Sequence, residues 1–146
     1  MKVLTPLAGR VVLLSEVPDP AFAQGLLGQG VAVDPVVQGT VTAVAPIDGT
    51  VHTLRSHAFV IVDDRGRGVL VHLGINTVEL RGAGFVPLRD KGDRVRAGDP
   101  VTRWNPALLQ GRSPLCPVIA LEAAIRDRAT GTVQMGDSLF FLNPVI

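Results

Sequence analysis

The chain has 146 residues, 47% of them hydrophobic and 18% charged, and its 14 basic and 13 acidic side chains leave a net charge of +1. That is enough apolar material for a packed core, too little charge for intrinsic disorder, and no basic excess for a nucleic-acid surface. The mean hydropathy of +0.34 does not imply a membrane span: the longest charge-free run, Pro20 to Val33, has 14 residues and three glycines, short of the roughly 20 apolar residues that a spanning helix needs.

The opening Met1-Lys2-Val3-Leu4-Thr5-Pro6 has one positive charge, and a proline and a glycine interrupt the apolar stretch that a signal peptide requires. From there, sixteen glycines and eleven prolines punctuate short runs rich in valine, isoleucine and leucine. The runs are Gly9 to Leu14, Gly30 to Val33, Gly39 to Val44, Gly49 to Leu54, Phe59 to Val62 and Val69 to His72. Many short strands between glycine turns predict an all-β fold, an antiparallel β-sandwich or flattened barrel with a few short helical turns. Its length suits one domain over residues 1–146.

Pro20 to Leu27 and Pro106 to Gln110 read as helical turns, the second with Asn105 as N-cap and Pro106 at the first helical position. Val118 to Arg128 fits either a helix or a strand followed by a turn. Cys116 is the only cysteine, which excludes an internal disulfide and a cysteine zinc cage and favours the cytoplasm. With no acid or base in Pro114 to Val118, it reads as an inert thiol.

Two of the three histidines bracket a hairpin. His57 opens the run to Val62, His72 closes the run from Gly68, and Asp63-Asp64-Arg65-Gly66-Arg67-Gly68 lies between them. A two-residue loop at Asp64-Arg65 would pair residues whose numbers sum to 129, which sets His57 directly opposite His72. A loop at Arg65-Gly66 would set them diagonally on one face, and only an odd-length loop would send them to opposite faces.

Neighbouring imidazoles suit phosphoryl transfer: a neutral ring nitrogen attacks near pH 7, and the second ring donates a proton to a phosphate oxygen. Two histidines alone make a poor metal site. The residues after His72, Leu73-Gly74-Ile75-Asn76-Thr77-Val78-Glu79-Leu80, are apolar and suggest a docking surface that excludes water. Gly74 would let a partner or phosphate approach the backbone.

These residues resemble the glucose-family enzyme IIA proteins of the bacterial phosphoenolpyruvate-dependent sugar phosphotransferase system. The core of the resemblance is Val69 to Leu80 followed by Gly82-Ala83-Gly84-Phe85, with Ser56-His57-Ala58-Phe59 upstream. Pro6 to Gly9, Val17 to Ala23, Gly28 to Pro35, Ala45 to Val51 and Gly92 to Pro100 extend it over almost the whole chain. The resemblance implies an antiparallel β-sandwich. It implies that His72 carries the phosphoryl group on Nε2 and that His57 supports the transfer. It also implies that phosphocarrier HPr is the donor and a cysteine on the enzyme IIB domain of a sugar permease the acceptor.

Partners would dock on an apolar depression formed by Asp19, Phe22, Leu26, Leu27, Phe59, Gly74, Asn76 and Val78. Two positions depart from the pattern: Asn76 stands where an aspartate is common, and Arg55 where a threonine is frequent. Both bear on partner choice, since an acidic site favours a basic partner.

A regulatory binding module is the alternative function, its partners metabolic enzymes or permeases switched by phosphorylation of His72. A zinc hydrolase of the LytM type is disfavoured because no His-x-His occurs. No cofactor is expected, and no Gly-rich phosphate loop with a lysine is present. His57 and His72 would hold a metal only with a carboxylate from a partner. A cytoplasmic monomer, not inserted in a membrane and free-standing from Met1 to Ile146, completes the expectation.

Overall fold

The computed structural model describes residues 1–36 and 39–143; residues 37, 38 and 144–146 of the expected domain lie outside the described residues. The first half forms β1 (Lys2–Leu4), β2 (Gly9–Val12), β3 (Gln29–Pro35), β4 (Val41–Val44), β5 (Gly49–Leu54), β6 (Ala58–Val62) and β7 (Gly68–His72). The second half adds β8 (Phe85–Pro87), β9 (Arg94–Val95), β10 (Pro100–Trp104), β11 (Cys116–Leu121), β12 (Ile125–Arg126), β13 (Thr132–Val133) and β14 (Ser138–Leu142). One helical turn, α1 (Pro20–Ala23), and three 3-10 turns, Leu14–Glu16, Thr77–Leu80 and Pro106–Leu108, complete the described elements. No helix among the described residues is long and apolar enough to cross a membrane.

The strands pair antiparallel throughout. An eight-stranded sheet runs in the order β13-β2-β3-β11-β7-β6-β5-β9, beside two three-stranded sheets, β1-β14-β12 and β4-β10-β8. This is the all-β sandwich that the spacing of glycines and β-branched runs predicts, and all six predicted runs are strands.

The stretch from Val118 resolves to a strand, because β11 sits between β3 and β7 in the middle of the large sheet. Cys116 to Ala120 are buried on both faces. A strand covered on both sides reads as a continuous apolar run, which is why its period was ambiguous. Asn105 caps the 3-10 turn at Pro106 as predicted, its Oδ1 accepting the Ala107 N–H at 3.0 Å. Asp19 does the same for α1, accepting the Ala21 N–H at 2.9 Å. That helix is shorter than the Pro20 to Leu27 predicted, ending at Ala23 ahead of Gly25, whose φ is +70°.

Both faces of the large sheet are covered. The inner face contributes Val31, Val33, Phe59, Ile61, Val69, Val71 and Val118 to the main core with Trp104, Leu139 and Phe140. The outer face holds a smaller cluster of Val12, Ala32 and Ile119, closed over by Val17, Phe22 and Ile75, with Leu70 packed against it. Burying a side chain such as Phe22 contributes about 2 kcal/mol, enough to hold α1 down on the sheet. Along β7, alternation sends Val69 and Val71 inward and leaves Leu70 and His72 on the outer face beside that cluster.

The β6–β7 hairpin corrects the register arithmetic. Ala58 pairs with His72 and Val62 with Gly68, so paired numbers sum to 130 and the loop is odd in length. Asp63 selects it: its Oδ1 accepts the N–H groups of Arg65 and Arg67, and Gly66 takes a φ of +79°. A turn followed by a left-handed glycine is the usual three-residue hairpin. The Asp-Asp-Arg-Gly-Arg sequence carries that signal.

Candidate active site

An odd loop would separate the histidines if both obeyed the pleat, yet their ring centroids lie 5.0 Å apart. His57 escapes the pleat because it precedes β6. The Arg55 N–H donates to the Ala58 carbonyl at 2.8 Å, which makes Ser56-His57 the two-residue loop between β5 and β6. A loop residue is free of strand alternation, so the His57 ring turns to the His72 side. Its backbone stays tied to β7, the His57 carbonyl accepting the Leu73 N–H at 2.7 Å. The pairing of the histidines was therefore anticipated for the wrong register.

His72 sits at the end of β7 with its ring partly exposed. The Phe22 ring meets it edge-on, 5.1 Å away with the planes at 61°, and His57 meets it at 75°. Its Nδ1 lies 2.6 Å from the Gly74 carbonyl oxygen. A carbonyl only accepts, so Nδ1 carries the hydrogen, and in the neutral ring Nε2 is left with the lone pair.

Gly74 reaches this position through a φ of +76°. A Cβ there would lie 2.7 Å from Thr77 Cγ2 and 3.1 Å from the Ser113 carbonyl oxygen, so a side chain would displace the loop. The loop is braced on both sides. Thr77 Oγ1 donates to the Leu73 carbonyl at 2.8 Å, the Ile75 N–H donates to the Ser113 carbonyl at 2.9 Å, and Arg112 pairs with Glu79 at 3.1 Å.

Burial lowers the His72 imidazole below its ordinary 6.5, against the Gly74 hydrogen bond and the Asp19 charge, which raise it. His57 is also lowered, by burial first and then by the nearby charges of His72 and Arg55. Both rings thus favour the neutral, nucleophilic form near pH 7. His52, the third histidine, is exposed on β5, its ring nitrogen 3.2 Å from Thr53 Oγ1.

The expected docking residues divide. Leu26, Leu27 and Val78 are exposed by 70%, 42% and 62%, too much for core side chains. Asn76 is exposed and Asp19 partly so. Phe59 is fully buried on the inner face, so it supports the sheet and offers nothing to a partner. Phe22 is buried as well, and its contact is with His72. Gly74 is buried, and its small size serves the close packing of the loop rather than a visitor's approach. Its carbonyl is the functional group that residue-type reasoning missed, because a backbone acceptor leaves no mark in a sequence.

Among the described residues no group of three or more histidine, cysteine, aspartate and glutamate side chains is placed to hold a metal ion. Cys116 is buried, its Sγ 3.2 Å from the Pro114 carbonyl oxygen, and burial pushes its thiol up to about 12. It stays protonated and unreactive at neutral pH.

Fold and site together define a β-sandwich carrying two imidazoles edge to face, His57 and His72, beside a partly apolar surface. Residues 1–125 match the model of the phosphoenolpyruvate-dependent sugar phosphotransferase system, EIIA 1 family, and the chain belongs to that family. It is 39% identical over 121 residues to a glucose-specific EIIA component of Staphylococcus aureus, a match covering 80% of this chain and 71% of the relative.

It is also 34% identical over 150 residues to a glucose-specific EIIBCA component of Corynebacterium glutamicum, covering 92% of this chain. A mannose-specific EIIBCA component of the same species is 40% identical over 126 residues, covering 84%. The chain spans 22% and 18% of the length of those two relatives. Among solved structures, the glucose permease IIA from Mycoplasma capricolum superposes with a TM-score of 0.88 at 30% identity, covering 96% of this chain and 94% of that one.

Proposed function

We propose that the chain acts as a phosphocarrier, a single EIIA domain in the cytoplasm. It takes a phosphoryl group from the phosphohistidine of HPr onto His72 and passes it to a cysteine of an EIIB partner. The observation that carries this reading is the Nδ1–H to Gly74 bond, which leaves Nε2 as the one nucleophilic nitrogen of a ring flanked by a second imidazole.

In the transfer the Nε2 lone pair forms the new P–N bond in line as the donor's P–N bond breaks, and that bond's electron pair returns to the donor nitrogen. The Nδ1 proton stays on the ring, held by Gly74, and its hydrogen bond strengthens as the ring gains positive charge. A donor ring that keeps the proton on its other nitrogen leaves as neutral imidazole, so the step consumes no proton. His57 donates a ring N–H to a phosphoryl oxygen, offsetting charge in the transition state. Leu26, Leu27 and Val78 supply the apolar contact that keeps water from the phosphoryl group, with Asn76 and Asp19 at its border.

Incubation with phosphoenolpyruvate, enzyme I and HPr followed by intact-mass measurement tests this. The wild type gains one acid-labile phosphoryl group and His72→Ala gains none. His57→Ala accepts the group and fails to hand it to EIIB. A wild type that stays unlabelled by its own organism's HPr contradicts the relay and leaves a binding module.

A further inference from the structure

The sheet register brings one more charged residue to this site. At the Ser56-His57 loop, Leu54 pairs with Phe59. Both face the inner side, Phe59 within the main core and Leu54 packed against it. Alternation then puts the next pair, Arg55 and Ala58, on the outer face, and Ala58 lies directly opposite His72. Arg55, Ala58 and His72 thus form one row across three adjacent strands.

Neighbouring strands lie about 4.8 Å apart, so Arg55 and His72 start about 10 Å apart along the row. Ala58, the residue between them in the row, carries only a methyl group. An arginine side chain and a phosphorylated imidazole leaning toward each other close such a gap. Arg55 is exposed and enters none of the ion pairs among the described residues. Its charge is felt at His57, whose protonation it disfavours.

We propose that Arg55 is a phosphoryl-contacting residue: across Ala58, its guanidinium donates to the phosphoryl oxygens once the group is on His72. The planar fork of donors matches two oxygens of a tetrahedral phosphoryl group, which a point charge does not. This assignment rests on the phosphocarrier reading and adds to it a fixed positive charge beside two neutral rings and the Asp19 carboxylate, whose charge acts on His72. Arg55 binds the incoming charge, and His57 is left to donate its hydrogen bond.

The 31P resonance of phospho-His72 shifts as the phosphohistidine takes up a proton, and a neighbouring positive charge lowers the midpoint of that titration, so the resonance reports the contact directly. The protein is loaded through HPr or with phosphoramidate, and the resonance is titrated in the wild type, Arg55→Gln, Arg55→Lys and Arg103→Gln. Arg103 is an exposed residue of β10 on the opposite sheet, so its replacement makes the same change of charge away from the site. Both substituted positions, Arg55 and Arg103, are exposed, so folding is retained.

Arg55→Gln raises the midpoint by about one pH unit, a tenfold change in proton affinity, and slows acceptance from HPr about tenfold. Arg55→Lys recovers part of the shift, and Arg103→Gln titrates with the wild type. If Arg55→Gln also titrates with the wild type, the assignment of Arg55 is wrong and the phosphocarrier reading stands. If neither donor loads His72 in the wild type, both fall together.

Discussion

The two ends of the β6–β7 hairpin are built from the same strands and treat their polar groups in opposite ways. At the Asp64–Gly66 end the polar groups satisfy one another. Asp63 accepts two backbone N–H groups and the Arg67 Nε at 2.8 Å, and both side chains are nearly enclosed, at 10% and 14% exposure. Burial alone would raise the Asp63 carboxyl, but the hydrogen bonds from Arg67 and Arg65 outweigh it and hold the group below its usual 3.8.

At the other end the bonding stops one atom short. Gly74 takes up His72 Nδ1, Thr77 and Ser113 hold the loop, and Nε2 is given no partner among the described residues. Burial there lowers the imidazoles where it is overruled at Asp63. A hairpin end becomes reactive when its backbone is fully bonded and one side-chain atom is left over.

The largest effect comes from breaking the reactive end through its backbone. Gly74→Ala puts a Cβ against Thr77 in a left-handed conformation and costs about 1–3 kcal/mol of stability. The displaced carbonyl releases His72, and misplacement of about 1 Å lowers acceptance of the phosphoryl group roughly 100-fold, read by single-turnover labelling. At the self-satisfied end, Arg67→Ala removes the charged partner of Asp63 but leaves its two backbone donors and costs about 1 kcal/mol in urea unfolding, while labelling of His72 proceeds at the wild-type rate.

Thr77→Val removes the bond to the Leu73 carbonyl and costs about 1 kcal/mol, with a few-fold loss of acceptance rate. The pH dependence separates the two ends without mutation. His57 and His72 bind protons more weakly folded than unfolded, so the unfolding free energy is full above about pH 6.5 and falls as pH drops below it. His72→Gln removes part of that slope. The Asp63 contribution is present above about pH 3.9 and is lost as pH falls through the lower folded value. Smallest in stability is the double variant Leu26→Ser, Val78→Ser, which stays within about 0.5 kcal/mol of wild type and weakens transfer with HPr, measured as a rise in KM.

The same contrast explains what was legible in the sequence. Runs such as Gly49 to Leu54 and Val69 to His72 announce themselves because β-branched residues alternate between glycines, and Asn105-Pro106 announces a cap. Strands of two or three residues such as β9, β12 and β13 have too few positions to show a period. The edge strand β8 shows only Phe85 buried, with Val86 and Pro87 exposed.

At the site, the two histidines were legible from residue type and the family motif, but their geometry was not. Their meeting depends on a loop position for His57 and a β-turn set by Asp63. Phe59 was read as surface because motif proximity says nothing of which face a strand residue takes; the pairing with Val71 sends it inward. The Gly74 carbonyl has no signature in side-chain sequence at all.

The account stands on the proton held at His72 Nδ1. Two-bond 1H–15N correlation spectra of the histidine rings at neutral pH measure it directly. The account predicts that His72 is locked as the Nδ1–H tautomer, with Nε2 showing the shift of an unprotonated nitrogen, and that Gly74→Ala releases the lock. A wild-type spectrum with the proton on Nε2, or averaged between the two nitrogens, contradicts it.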